Sequence, residues 1–297
     1  MKKEIFKGLA TALVTPFSGD KVDFKALDRL ISFQLEGGAD ALVLLGTTGE
    51  SSTLSLEEKQ SIVDFSVKKI SGRAKIIVGS GSNDTKKAIE QSRLFEKMGA
   101  DALLVITPYY NKCSKEGLKR HFFSVADGVS CPIMVYNVPS RTGMNIGVDG
   151  YEMLSSHENI CAVKEADNDF SKLSFLAARL QGRLDFYSGN DDTLLPFLSL
   201  GAKGIVSAYS NLAPKRVKAV LNAFFAGDIA LARREQFLNM GAIRALFSSV
   251  NPICIKAGLF LMGLCENELR LPLASLDENE MQALKKELIS SETEGLI

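Results

Sequence analysis

The sequence has little histidine. Only His121 and His157 occur, and neither falls in a His-x-x-x-His or His-x-His spacing. Open catalytic zinc sites usually take two or three imidazoles, so zinc-dependent aldolases and hydrolases are disfavoured. Cysteine is sparse and scattered. Cys113, Cys131, Cys161, Cys254 and Cys265 form an odd set without a Cys-x-x-Cys pair, so neither a zinc site nor a disulfide framework is expected, and a reducing cytoplasm fits. Charge of one sign is not in excess: Lys+Arg and Asp+Glu both total 35. No long-range field therefore draws nucleic acid or an anionic membrane. No apolar run reaches the length of a membrane span, and the opening Met-Lys-Lys-Glu-Ile-Phe-Lys-Gly lacks a signal-peptide core, so no export is expected. A dinucleotide fingerprint is missing as well, because Gly79-Ser80-Gly81-Ser82-Asn83-Asp84 lacks the third glycine.

What the chain does have is a repeat. Its 297 residues are 46% apolar and 24% charged, a composition able to bury a substantial core. A unit of roughly 25–35 residues, the length of a βα module, recurs along it. Three copies show at the helix-to-strand junction: Gly38-Ala39-Asp40 before Ala41–Leu45, Gly99-Ala100-Asp101 before Ala102–Ile106, and Gly201-Ala202-Lys203 before Gly204–Val206. In each a glycine ends a helix and a buried apolar run follows. Further strands are expected at Leu9–Val14, Lys75–Gly79, Ile133–Tyr136, Ile160–Lys164 and Leu184–Ser188.

Helix starts can be read between them. Asp23 begins one that runs to about Glu36, Ser55 with Glu58 makes a capping box for a second, Asp84 opens a third, to Met98, and Ser114 or Lys115 a fourth; a short helix follows Asp149, and others begin near Asp169, Asp191 and Pro214. Eight strands alternating with eight helices predict an α/β fold, a (β/α)8 TIM barrel, over residues 1–227. A doubly wound open sheet is the weaker alternative. From Asp228 strand signals stop. A C-terminal three-helix appendage, residues 228–297, reads as Asp228–Phe247, Pro252–Gly263 and Asp277–Ser290, packing on the outer ring or on a second subunit.

Chemistry is expected where strands end. In a parallel barrel the carboxyl ends of the strands face the active-site mouth. The apolar run Ile160-Cys161-Ala162-Val163 ends in Lys164-Glu165-Ala166. Desolvation disfavours an ammonium ion, so a lysine held there favours the free amine that attacks carbonyls. The plain alternative is a strand-end lysine in water. Gly46-Thr47-Thr48-Gly49-Glu50-Ser51 offers amide N–H groups and two hydroxyls for a carboxylate, or an ordinary glycine turn. Thr107-Pro108-Tyr109-Tyr110-Asn111 and Tyr136-Asn137-Val138-Pro139-Ser140-Arg141-Thr142 place phenols and a guanidinium at strand ends, where core packing and surface charge are the bland readings. The carboxylates of Ser188-Gly189-Asn190-Asp191-Asp192 suit a helix cap better than a metal.

Together, in this order and spacing, these five segments resemble the dihydrodipicolinate synthase / N-acetylneuraminate lyase family over essentially the whole chain. The Arg141-Thr142 ending resembles the synthase branch. The resemblance implies a class I (Schiff-base) aldolase, a lyase that condenses pyruvate with aspartate 4-semialdehyde to 4-hydroxy-tetrahydrodipicolinate in lysine and diaminopimelate biosynthesis. It implies Lys164 as the Schiff-base lysine, Tyr136 as proton shuttle, and Thr47 and Tyr110 as the rest of a relay, the second tyrosine reaching in from a neighbouring subunit. Thr48 matches a pyruvate-carboxylate contact, Arg141 the aldehyde's carboxylate anchor, and Val206 a main-chain carbonyl contact. Gly189 belongs to the substrate-binding set. No metal or organic cofactor is required. The partners implied are the two small substrates and further copies of the chain, a homotetramer built as a dimer of dimers.

Some positions depart from the family pattern. Cys113 stands where proline commonly follows Tyr-Tyr-Asn-Lys, which puts the rigidity of the Tyr110 loop in question. At the lysine-feedback site of sensitive synthases Ser51, Asn83 and Tyr109 match, whereas Leu56, Lys59 and Lys87 replace histidines or an acidic residue, so weak or absent inhibition is expected. Two other functions compete: a pyruvate aldolase or dehydratase acting on a sugar acid, such as N-acetylneuraminate lyase, and a catalytically dead barrel that senses a ketoacid. Arg141 speaks against the first, and intact Lys164, Tyr136, Thr47 and Tyr110 against the second.

Overall fold

The computed structural model describes residues 2–290. Eight strands form a closed barrel: β1 (Gly8–Ala12), β2 (Ala41–Leu44), β3 (Lys75–Gly79), β4 (Ala102–Ile106), β5 (Ile133–Asn137), β6 (Ile160–Glu165), β7 (Asp185–Ser188) and β8 (Gly204–Ser207). Their order around it is β1-β8-β7-β6-β5-β4-β3-β2. This is the TIM-barrel architecture that the repeat predicts. All eight strands fall within one or two residues of their expected places, because both faces of each are covered and the sequence must be apolar throughout. In β2 and β5 every residue is buried.

The chain forms two compact units, one around Lys75–Val206 with the segment before Gly8, the other from Gly8–Ala74 with the chain after Ser207. In the first, β3 to β8 lie side by side as consecutive parallel ladders. In the second, β1 pairs with β2 in parallel, Ala10 opposite Ala41. A small antiparallel hairpin, Phe17–Ser18 with Lys21–Val22, follows β1.

Helix starts follow the side chains that cap them. Asp23, Asp84, Ser114, Asp169 and Asp228 each accept first-turn amide protons, and Ser55 with Glu58 forms the full capping box. Gly38, Gly99 and Gly201 adopt φ values of 81°, 103° and 91°, which end the preceding helices as expected. Three details differ. The helix expected near Asp191 is Leu194–Ser199, with Thr193 at its cap and no side-chain cap bond, so the Asp191-Asp192 pair is not its cap. The helix expected after Asp149 starts before that residue, at Val148, so Asp149 lies in its first turn. A one-turn helix, Pro139–Thr142, was hidden in what reads as a loop; Pro139 at its first position presets the backbone.

The C-terminal helices are Ile229–Leu246, Ile253–Leu261 and Glu278–Ser290. The first packs on Pro214–Phe225, the helix of the eighth repeat, and on Glu278–Ser290. Among the described residues no helix is long and apolar enough to cross a membrane.

Candidate active site

Parallel pairing of β5 with β6 sets Tyr136 directly opposite Lys164. Side chains alternate along a strand, so both point to the same face at neighbouring strand ends. Both are buried, Lys164 at 6% exposure and Tyr136 at 7%. Lys164 Nζ lies 4.3 Å from the centre of the Tyr136 ring. The lysine therefore does not end its strand in water; its Nζ is held dry against a phenol ring, a place from which a lysine nitrogen can meet a carbonyl carbon with a hydroxyl beside it.

The next residue on each strand faces the other way, and sequence reading missed what it meets. Glu165 is wholly buried. Its carboxylate accepts from Asn137 Nδ2 at 2.8 Å, from the Tyr151 hydroxyl and from the Asp167 amide at 2.9 Å, and lies 3.5 Å from Lys172 Nζ. Burial pushes the Glu165 carboxyl up, against the pull of Lys172 and these donors, and burial pushes the Tyr151 hydroxyl up as well. Asn137 and Glu165 are themselves register partners, so this polar cluster ties β5 to β6 one residue beyond Tyr136 and Lys164. The signal available in the sequence was a charged residue directly after a buried strand lysine.

Other expected residues surround these strand ends. Gly189 follows β7, and its amide donates to Glu165 O at 2.7 Å. A Cβ there would lie 2.9 Å from both Glu165 O and Ala166 Cβ, so the close approach needs glycine. Thr107, wholly buried after β4, donates to Thr142 Oγ1 at 3.2 Å. Arg141 is exposed on the one-turn helix after β5. Val206 is buried in β8.

In the other unit the Gly46–Glu50 segment turns sharply after β2. Leu45 and Glu50 hold φ values of 56° and 51°. The amides of Gly49 and Glu50 donate to Gly46 O and Thr47 O, each at 3.1 Å, so they are spent on the turn and not offered to a ligand. Thr15 Oγ1 donates to Gly49 O at 2.7 Å and Asn251 Nδ2 to Thr48 Oγ1 at 2.9 Å. Thr48 is buried and Thr47 half-buried.

The dihydrodipicolinate synthetase family model matches residues 5–291. The chain belongs to this family. It is 42% identical to 4-hydroxy-tetrahydrodipicolinate synthase 1 of Clostridium acetobutylicum over 96% of this chain and 97% of that protein. Among solved structures it is similar to the dihydrodipicolinate synthase of Thermotoga maritima, with a TM-score of 0.95, 37% identity and coverage of 99% and 100% of the two chains. A monomeric dihydrodipicolinate synthase variant is equally similar, at TM-score 0.95 and 37% identity, covering 99% and 98%.

Two features of the loop after β4 bear on Tyr110. Its side chain is 93% exposed and its φ is 67°, so within one chain it packs on nothing that could form a relay. Three residues on, Cys113 is half-buried with Sγ 3.9 Å from Met144 Sδ, and burial pushes its thiol up. An open cleft of about 440 Å³ lies next to this loop, lined by Cys113, Ser114, Met144, Asn145, Gly147 and Asp149. It is lined by neither Lys164 nor Tyr136.

Proposed function

We propose that the chain is a Schiff-base lyase that condenses pyruvate with aspartate 4-semialdehyde to 4-hydroxy-tetrahydrodipicolinate, supplying lysine and diaminopimelate. The observation that carries this reading is the buried Lys164 Nζ, 4.3 Å from the Tyr136 ring, in a chain of this family. The Lys164 amine adds to the keto carbon of pyruvate, and loss of water leaves a protonated imine. That imine takes up the electron pair when the pyruvate methyl gives up a proton, which makes the enamine nucleophile. The enamine carbon bonds to the aldehyde carbon and the aldehyde oxygen takes a proton; the amino group of the aldehyde substrate then adds to the imine carbon and expels the Lys164 amine, which closes the ring and frees the lysine.

Tyr136 moves these protons, with Thr47 and a Tyr110 from a neighbouring copy completing its relay. Thr48 contacts the pyruvate carboxylate, and Arg141 grips the aldehyde's carboxylate, for which a planar guanidinium is suited. Gly189 and the Val206 carbonyl line the ketoacid site. The exposed Tyr110 supports assembly, as a dimer of dimers, and the five unpaired cysteines support a cytoplasmic setting. On this reading residues 1–227 carry the active site and 228–297 are the helical region, of which 291–297 lie outside the described residues.

Reduction with borohydride in the presence of pyruvate, followed by peptide mapping, tests the centre of this reading. A pyruvate adduct on Lys164 is expected, lost in Lys164→Ala; an adduct elsewhere, or none, would overturn it. A coupled assay with aspartate 4-semialdehyde against N-acetylmannosamine separates the synthase from a sugar-acid lyase.

A further inference from the structure

The turn that carries Thr47 and Thr48 is held from the C-terminal region by groups with no role in the reaction above. Lys256, on Ile253–Leu261, is wholly buried. Its Nζ pairs with Glu50 Oε1 at 2.5 Å, donates to Glu268 O at 2.8 Å and lies 4.0 Å from the centre of the Phe17 ring. The other Glu50 oxygen accepts from the Arg270 amide at 3.1 Å. Glu50 is the left-handed residue that closes the turn, so a residue in an unfavourable backbone conformation is fixed by a buried ion pair. Five residues before Lys256 in the chain, Asn251 donates through Nδ2 to Thr48 Oγ1 at 2.9 Å.

The polarity of that last bond matters. A hydroxyl carries one proton and two lone pairs. With one lone pair occupied by the Asn251 amide, the Thr48 proton is directed away from Asn251 and remains available to an acceptor such as a carboxylate. A side chain that accepted instead would take that proton for itself. We propose that Asn251, seated by the Lys256–Glu50 pair, is a positioning residue that presents the Thr48 hydroxyl as a donor to the ketoacid carboxylate. The proposal rests on the reading of Thr48 as the pyruvate-carboxylate contact.

Steady-state kinetics on the full-length chain test it through a double-mutant cycle. Asn251→Ala is expected to raise the KM for pyruvate roughly three- to tenfold, the worth of one hydrogen bond, with kcat and the aldehyde KM little changed. Asn251→Asp keeps the side chain's shape but offers only acceptors, so it is expected to raise pyruvate KM at least as much; it also serves should the alanine variant fold poorly. Thr48→Val is expected to raise pyruvate KM too, and adding Asn251→Ala to it should cost nothing further. Equal effects of Asn251→Ala with and without Thr48→Val would overturn the proposal, as would a normal pyruvate KM in Asn251→Asp. A general fall in kcat and melting temperature without a pyruvate-specific change would mark a merely structural residue and overturn it as well. If Thr48→Val raises pyruvate KM while the Asn251 variants do not, only this inference fails. If Thr48→Val leaves pyruvate KM unchanged, the carboxylate role of Thr48 fails, and the inference with it.

Discussion

Tyr136 and Lys164 are opposite one another in the β5–β6 ladder, and the lysine nitrogen sits 4.3 Å from the phenol ring centre. Their proximity is a property of strand register. A slip of one residue would turn both side chains to the opposite face and bring Asn137 and Glu165 inward. The outward cluster of Glu165, Asn137 and Tyr151 resists such a slip, because a misplaced Glu165 would lose every donor that offsets its burial. The residues behind the site thus specify the geometry of the residues within it.

Tyr136→Phe separates the phenol's proton from its ring. The ring keeps its packing on Lys164, so the variant is expected to fold and still to form the pyruvate adduct slowly. Turnover should fall by roughly 10²–10⁴, the usual cost of losing a positioned acid–base group. Near-normal kcat in the variant would show that another group moves the proton.

The barrel was legible because its strands, covered on both faces, must be short apolar runs bounded by capped helices; Ser55 with Glu58 and the φ-positive Gly38 and Gly99 are local devices that a sequence displays openly. Lys164 was legible for the same reason, as a charge ending an apolar run. Glu165 and Lys256 were not. Each is tolerated in the interior only by partners brought in from elsewhere in the fold: Tyr151 and Lys172 on two different helices for the first, Glu50 and the Glu268 carbonyl for the second. In sequence Lys256 is simply a basic residue in an apolar helix. Asp191 misled in the opposite sense: it has the chemistry of a cap, but the helix begins at Leu194.

The Lys256–Glu50 pair sets up a stability test. Lys256→Ala removes the cation but leaves the Glu50 carboxylate buried, which is expected to cost about 3–5 kcal/mol in urea unfolding. Lys256→Met with Glu50→Gln removes both charges and keeps the volume, so it should cost less than Lys256→Ala alone. The reverse ranking would show that Glu50 gains its support from other groups.

His121 gives a pH dependence of definite sign. It is 5% exposed, with Nδ1 3.0 Å from Thr85 Oγ1. Burial lowers its pKa from 6.5 to about 4, with Asp84 opposing. Below pH 6.5 the unfolded chain takes up a proton that the folded chain refuses, so stability from this residue is complete above that pH and falls as pH drops towards 4. The loss is at most about 3 kcal/mol. His121→Gln should flatten this part of the stability profile between pH 7 and 4.5; an unchanged slope relative to wild type would place the titration on another group.

Lysine is expected to inhibit weakly or not at all. By the family resemblance, Ser51, Asn83 and Tyr109 match the lysine-feedback site of sensitive synthases. Leu56, Lys59 and Lys87 stand where that pattern often has histidines or an acidic residue. Lys87 stands exposed on the helix that Asp84 caps, a cation at a position where the family pattern often has a histidine or an acidic residue that would welcome an ammonium. Two like charges about 4 Å apart in water repel by about 1 kcal/mol, enough to weaken binding several-fold, and the attraction of the missing partner is lost besides. Leu56, 47% exposed, likewise offers no hydrogen bond where a histidine is often found. Activity followed across a lysine titration should remain near its starting value through the sub-millimolar range, and Lys87→Glu should lower the concentration needed for inhibition. Strong inhibition of the wild-type chain by sub-millimolar lysine would mean that the charge at Lys87 does not face the effector.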